Sequence, residues 1–290
     1  MEAKTIPVRV IPNADLILLN EGEWIALAQE HCERYKNADP FPHVVIDQLF
    51  PDAILDRIAE EVGRTEKDIR KRFYGAQKSG SYTPSRWGPY TRQFMTALNS
   101  APFLAFLEAL TGIDGLIPDP YYFGGGIHES QQGGFLKIHT DFNYYPALKL
   151  DRRLNLLLYL NRDWKSEYGG ALELWSTDMK QRQVAIEPVF NRTVVFSTSD
   201  FSFHGHPEPM PCPTEVTRKS LALYYYSNGR PSHEVRVRHR VETNYQPRPG
   251  ERLEQEGGSR GGQFRSYVKR LLPEPLLNVL RAAKQRRQPR

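Results

Sequence analysis

Between residues 121 and 230 the chain is cut into short apolar or alternating runs, at 134–140, 154–161, 171–176, 183–186, 193–197 and 220–227, with Gly, Pro, Asn and Asp clustered between them. Runs this brief are too short for helices of ordinary length. They satisfy their backbone groups by pairing with one another, which predicts a mainly β fold of the sandwich or barrel type. The run at 154–161 is the most informative. Leu154, Leu156, Leu158 and Leu160 alternate with Asn155, Leu157, Tyr159 and Asn161. Side chains alternate across a strand, so the two sets are expected on opposite faces.

The residues before this region read differently. Over 40–64 a β-rich stretch gives way near Pro51-Asp52 to a helical pattern with Ile54, Leu55, Ile58 and Val62 on one face. Residues 75–89, rich in Gly, Ser, Tyr and Pro, read as a loop, and 91–110 return to a helical pattern through Phe94, Leu98, Phe103, Leu104 and Leu107. Beyond residue 237 the chain is polar and Gly-rich, with short helical patterns at 264–272 and 275–284. The expected organisation is one domain. Residues 1–115 form a helical and strand support, 116–237 the β core, and 238–290 a basic C-terminal extension.

Composition narrows the function classes. No run approaches the roughly 18 apolar residues that span a bilayer, and the N-terminus has no basic stretch followed by an apolar one. A cytoplasmic protein without a membrane span is expected. The two cysteines, Cys32 and Cys212, lie far apart in the sequence and in no zinc-type spacing, which argues against a disulfide framework or a structural zinc site. The net charge of +5 is unevenly placed: residues 236–290 carry 14 Lys/Arg against 5 Glu, while the rest is net negative. No zinc finger, helix-turn-helix or RNA-binding aromatic signature accompanies the basic tail, so a specific nucleic-acid partner is not expected.

The chemistry is concentrated in Leu136-Lys137-Ile138-His139-Thr140-Asp141. Side chains two apart on a strand share a face, so His139 and Asp141 can reach one ion together. A 2-His-1-carboxylate triad needs one further histidine from a distant strand and leaves neighbouring coordination positions open. His204 and His206, in Phe203-His204-Gly205-His206-Pro207, both qualify by position. Arg218 opens the run Arg218-Lys219-Ser220-Leu221-Ala222-Leu223, and a cation at the head of an otherwise buried strand needs an anionic partner. Ser220 shares its face. His128, after Gly124-Gly125-Gly126, reads as structural, Cys212 as a small buried residue, and Glu173 and Trp175 as lining residues of a pocket mouth or as plain strand residues.

In this order the pieces resemble the prolyl 4-hydroxylase-like branch of the Fe(II)/2-oxoglutarate dioxygenases. The resemblance covers about residues 121–230 and rests on Gly133-Gly134-Phe135-Leu136 leading into His139-Thr140-Asp141, Leu158-Tyr159-Leu160-Asn161, Trp164, Gly169-Gly170-Ala171-Leu172, Phe196, the His204 segment, and Arg218-Lys219-Ser220. It implies a double-stranded β-helix, or jelly roll, flanked by helices, with the Leu154 face of the run at 154–161 packed against the helices and the Tyr159 face lining the cavity. It further implies His139, Asp141 and His204 as iron ligands, His204 being favoured over His206 because family members keep a histidine before this glycine. Arg218 and Tyr159 would bind the distal carboxylate of 2-oxoglutarate, with Ser220 beside them. The implied reaction yields succinate and CO2 and hydroxylates a small-molecule or peptide substrate: a prolyl residue, a free amino acid or another small molecule. Ascorbate would serve as a reductant.

Two departures stand out. Glu129 occupies a position where some prolyl hydroxylases carry a tyrosine, and the stretch from His204 to Arg218 is longer than usual and proline-rich. The same fold also hosts cupin-type metal-dependent isomerases and binding proteins, and inactive oxygenase folds that act as interaction modules. The first would not need Arg218 and Tyr159, and the second would have lost a ligand. Because all of this chemistry lies between His139 and Ser220, residues 236–290 are expected to be dispensable for it. The sequence leaves oligomeric state open.

Overall fold

The computed structural model describes residues 21–73 and 75–251. Helices α1 (Glu21–Lys36), α2 (Asp52–Arg64), α3 (Pro89–Ala97) and α4 (Ala101–Thr111) accompany fourteen strands. These are β1 (His43–Asp47), β2 (Ile69–Phe73), β3 (Ala76–Ser81), β4 (Ile117–Pro118), β5 (Gly126–Ser130), β6 (Phe135–Thr140) and β7 (Tyr144–Tyr145). They continue as β8 (Leu150–Tyr159), β9 (Leu172–Trp175), β10 (Arg182–Ile186), β11 (Arg192–Ser197), β12 (His204–His206), β13 (Arg218–Ser227) and β14 (Asn244–Tyr245). The strands pair antiparallel in the order β1-β11-β8-β13-β5-β3-β6-β12-β9-β10, the curled sheet of a jelly roll.

The alternation in β8 sorts as its sequence predicts. Leu154, Leu156 and Leu158 are fully buried, and they join Leu160, Val195, Leu221 and Leu223 from the sheet with Trp24, Leu55, Ile58, Phe94, Phe103 and Phe106 from the helices in one core. The helical layer is held by edge-on aromatic packing, with the Trp24 ring centroid 5.0 Å from those of both Phe103 and Phe106. The opposite face of β8 contributes Tyr159 to a second core between the two halves of the sheet, with Phe41, Leu172, Leu174, Ile186, Val194 and Phe196. One strand thus anchors the support helices with one face and the cavity with the other.

Three local expectations change. The helical pattern over 91–110 is two helices, because Ser100 takes an extended conformation ahead of α4 and Pro102 sits in its first turn, where a missing N–H costs nothing. Residues 75–89 are not all loop: β3 pairs with β2, β5 and β6. Residues beyond 237 also pack on the β core, since β14 pairs with β6 and the Gln246 N–H donates to the Ile138 carbonyl. The helical patterns at 264–272 and 275–284 lie outside the described residues. No single helix among the described residues is long and apolar enough to cross a membrane, and the apolar faces of α3 and α4 are turned into the core.

Truncating Leu156 to alanine leaves a cavity between sheet and helices. Such changes cost about 2–5 kcal/mol, so urea denaturation of Leu156→Ala should show a loss in that range. A loss below about 1 kcal/mol, typical of an ordinary substitution, would contradict this packing.

Candidate active site

Strands β6 and β12 are antiparallel neighbours, and their register sets His204 directly opposite His139. Asp141 follows two residues on from His139. Ligand atoms of His139, Asp141 and His204 lie within 4.8 Å of one another, and among the described residues this is the His/Cys/Asp/Glu group that could hold a metal ion. Nε2 of His139 is 3.7 Å from Asp141 Oδ1, and Nε2 of His204 is 3.4 Å from Asp141 Oδ2. Each imidazole engages a backbone carbonyl through Nδ1, His139 with Lys137 at 2.8 Å and His204 with Ser202 at 2.9 Å. A carbonyl can only accept, so Nδ1 carries the proton and Nε2 presents its lone pair to the shared centre. Burial, reinforced by His139, pushes the His204 pKa down to about 4, which keeps its ring neutral near pH 7.

The carboxylate is held separately. Burial disfavours its ionised form, but its charged neighbours, the Arg152 guanidinium first among them, outweigh that and keep the Asp141 pKa well below the ordinary range. Asp141 Oδ2 accepts from Arg152 Nη2 at 3.0 Å and from Asn155 Nδ2 at 2.8 Å. Asn155 Oδ1 in turn accepts from Arg152 Nε and Nη2 at 3.1 and 2.6 Å. The Arg152 guanidinium, 1% exposed, lies 3.4 Å from the ring centroid of Tyr224 and 4.5 Å from that of Phe142. Of these partners the sequence reading places Asn155 on the cavity-lining face of the strand and gives Arg152 no role. The signal for Arg152 was present, since a cation near the head of a buried strand raises the same demand that singled out Arg218.

Arg218 is the exception among the buried arginines. Arg152 pairs with Asp141 and Arg153 with Glu234, and the partly buried Arg230 and Arg240 pair with Glu234 and Asp200. Arg218, 6% exposed, has no carboxylate within ion-pair distance among the described residues. Its Nε donates to the Gly170 carbonyl at 2.7 Å and its Nη2 to Tyr159 Oη at 3.1 Å. Gly170 has φ +70°, and a Cβ there would stand 2.5 Å from Met210 Sδ and 3.0 Å from Arg218 Cδ, so glycine is required where the arginine is seated. Burial raises the Tyr159 pKa, keeping its hydroxyl protonated. Ser220, also buried, pairs with Tyr159 across β13 and β8.

The remaining sequence candidates fall elsewhere. His206 is buried next to Leu136 in the register, outside the three-donor group, and its Nδ1 has no hydrogen-bond partner. The His128 ring nitrogen lies 3.0 Å from the Gly124 carbonyl, the Cys212 thiol donates to the Val216 carbonyl, and Glu129 forms an ion pair with Lys67 at 3.1 Å. Trp175 Nε1 donates to Glu173 at 2.8 Å, tying the two to each other. Residues 236–251, which the sequence leaves as dispensable, lie along the metal strand: Asn244 and Tyr245 of β14 pair with Thr140 and His139 of β6.

Residues 125–226 match the model of the 2OG-Fe(II) oxygenase superfamily. A 79-residue stretch is 33% identical to mouse prolyl 3-hydroxylase OGFOD1, covering 26% of this chain and only 14% of that relative's length. Among solved structures, a Pseudomonas putida prolyl-4-hydroxylase is similar with TM-score 0.50 and 18% identity, over 71% of this chain and all of that one. A Trichoplax adhaerens prolyl hydroxylase, solved with a hypoxia inducible factor peptide fragment, gives 0.52 and 15% over 71% and 91%. HygX from Streptomyces hygroscopicus, solved with nickel, 2-oxoglutarate and hygromycin B, gives 0.50 and 13% over 75% and 97%. At these identities the likeness speaks for the fold.

Two remaining donors rarely hold a labile divalent ion, so His139→Ala, Asp141→Ala and His204→Ala should each abolish binding of Mn(II), measured from the free-ion electron paramagnetic resonance signal. His206→Ala should retain it. Loss of binding in His206→Ala with retention in His204→Ala would reassign the third donor.

Proposed function

We propose that this chain belongs to the prolyl 4-hydroxylase-like branch of the 2OG-Fe(II) oxygenase superfamily and is an Fe(II)- and 2-oxoglutarate-dependent dioxygenase that hydroxylates its substrate, a reading supported by the family match over residues 125–226. The substrate is a prolyl residue, a free amino acid or another small molecule, and ascorbate is the reductant that keeps the iron ferrous. The donor set fits ferrous iron. Two imidazoles and one carboxylate with their ligand atoms within 4.8 Å of one another are the donor types of the facial triad that leaves coordination positions open for non-haem Fe(II) chemistry.

The observation that supports the co-substrate is the buried guanidinium of Arg218, which has no carboxylate partner among the described residues. A buried charge without a counter-charge is costly, and a dicarboxylate of the right length removes the cost at this position. Arg218, held through Nε by Gly170, is left to present its remaining edge to a distal carboxylate, and the Tyr159 hydroxyl donates beside it. At the other end His139, Asp141 and His204 hold the metal, while Arg152 and Asn155 keep Asp141 ionised and oriented. Phe41, Leu172, Leu174, Val194 and Phe196 keep water from the space between. When bound, Fe(II) and 2-oxoglutarate supply the oxygen activation, with succinate and CO2 as co-products. A cupin-type isomerase or binding protein has no use for a lone buried arginine, and an inactive fold has no need of a complete donor set.

The co-substrate assignment is tested by calorimetric titration of 2-oxoglutarate into Mn(II)-loaded protein. Removing one partner of a buried, hydrogen-bonded charge pair costs about 2–5 kcal/mol, so Arg218→Ala should bind roughly 30-fold or more weakly while keeping its metal. Tyr159→Phe removes one hydrogen bond to a charged group, worth about 1.5–3 kcal/mol, and should weaken binding less. Lys219, on the opposite face of β13, provides the control: Lys219→Ala should bind as wild type does. Equal affinity in wild type and Arg218→Ala would remove this arginine from the site.

A further inference from the structure

Two of the three metal donors are carried next to loops, Asp141 at the head of the loop after β6 and His204 at the end of the loop after β11. A third segment, residues 234–246, joins them. Asp200, 5% exposed, lies in the loop leading to His204. Its Oδ2 accepts from the backbone N–H groups of Arg236 and Val237 at 2.7 and 2.9 Å, and its Oδ1 from Asn143 Nδ2 at 3.1 Å and Arg240 Nη2 at 2.5 Å. The same Arg240 nitrogen donates to the backbone carbonyl of Asp141 at 2.9 Å.

The segment is sewn down on both sides of this contact. Arg240 N–H donates to Asn143 Oδ1 at 2.8 Å, the N–H groups of Asn143 and Tyr144 donate to the Arg240 carbonyl at 2.9 and 3.2 Å, and Asn143 Nδ2 donates to the Val237 carbonyl at 2.8 Å. Further on, β14 pairs with Thr140 and His139, Gln246 N–H donates to the Ile138 carbonyl at 2.8 Å, and the Tyr245 ring centroid lies 5.5 Å from that of His139.

We propose that Arg240 is a positioning residue of the metal centre: its guanidinium joins the backbone of the ligand Asp141 to the Asp200 carboxylate and so fixes the separation between the two loops that bring Asp141 and His204 together. This rests on the metal-binding reading of His139, Asp141 and His204. The contact falls on a ligand's own carbonyl, and its other end falls four residues before the third ligand. A charge-assisted bond shared between two acceptors is directional enough to hold that span. Outer partners of metal ligands act in this way, and their loss typically weakens metal binding about 10- to 100-fold. The strap over residues 236–246 is therefore part of the site although it contributes no donor.

The test uses the full-length chain. Mn(II) affinity is measured for wild type, Arg240→Ala and Asp200→Asn, with thermal unfolding of the metal-free proteins alongside and the visible spectrum of the Co(II)-substituted forms as a report on coordination geometry. Arg240→Ala should bind Mn(II) roughly 10- to 100-fold more weakly and shift the Co(II) spectrum, and added ethylguanidinium, which refills the vacated position, should recover affinity and spectrum together. Asp200→Asn, which keeps its shape and loses its charge, should move affinity in the same direction and decides the matter if Arg240→Ala does not fold. Folded Arg240→Ala or Asp200→Asn proteins that bind Mn(II) within about twofold of wild type, with an unchanged Co(II) spectrum, would overturn the clamp and leave the metal centre standing. Wild type that binds no Mn(II) would overturn the metal centre itself, and the clamp with it.

Discussion

The antiparallel pairing of β6 with β12 is the constraint on which the rest of this structure depends. It places His204 opposite His139, so two residues 65 positions apart become cross-strand neighbours with ring centroids 4.4 Å apart. Alternation along β6 then delivers Asp141 to the same side. A slip of one residue in this register would turn the donors to opposite faces, because side-chain direction has a period of two. The close seat of Gly205 protects the register: a Cβ there would stand 2.6 Å from the Leu136 carbonyl and 2.9 Å from that of Lys137. Glycine between the two histidines allows the backbones to approach as the pairing demands.

Around this pairing the buried charges are arranged in two kinds. Asp141 is compensated from within the protein by Arg152, which is itself stacked on Tyr224 and bonded to Asn155. The carboxylate therefore remains an anion in a site where burial would otherwise protonate it. Arg218 is oriented from within the protein but has no carboxylate partner among the described residues, where it donates to a carbonyl and a phenol. An oriented cation with no carboxylate partner among the described residues, on the strand paired with the one that carries Arg152, Asn155 and Tyr159, is what the proposed co-substrate would meet. Under the proposed function, the first arrangement would serve the metal and the second its co-substrate. They sit on neighbouring strands because β8 supplies Arg152 and Asn155 near its start and Tyr159 at its end.

Much of this was legible in the sequence, for physical reasons that can be named. The leucine alternation of β8 reads as a strand with one helix-facing side because four leucines at period two leave no other economical burial. HxD on a strand and a cation at the head of β13 each carry a stated demand, for a third donor and for an anion. The hairpin of β2 and β3 was hidden because β3 is rich in the residues that mark loops. Gly80 lies where a Cβ would meet the Ile127 carbonyl at 2.7 Å, so the glycine that reads as a turn signal is there for close strand contact. Arg152 was overlooked although the Arg218 argument applies to it unchanged. The strap that carries Arg240 and Tyr245 was set aside because it has no periodicity: its β14 is two residues long, and its hold on the core runs through side chains whose partners lie about 40 to 100 positions away.

The central claim is that a facial metal site and a buried arginine together form one pocket for Fe(II) and a 2-oxo dicarboxylate. The most direct measurement is the visible absorption of Fe(II)-loaded protein titrated with 2-oxoglutarate in the absence of oxygen. Chelation of ferrous iron by the 2-oxo acid should produce a metal-to-ligand charge-transfer band that grows to saturation and does not appear with succinate, which lacks the keto oxygen. Iron-loaded protein that shows no such band at any 2-oxoglutarate concentration would contradict the account.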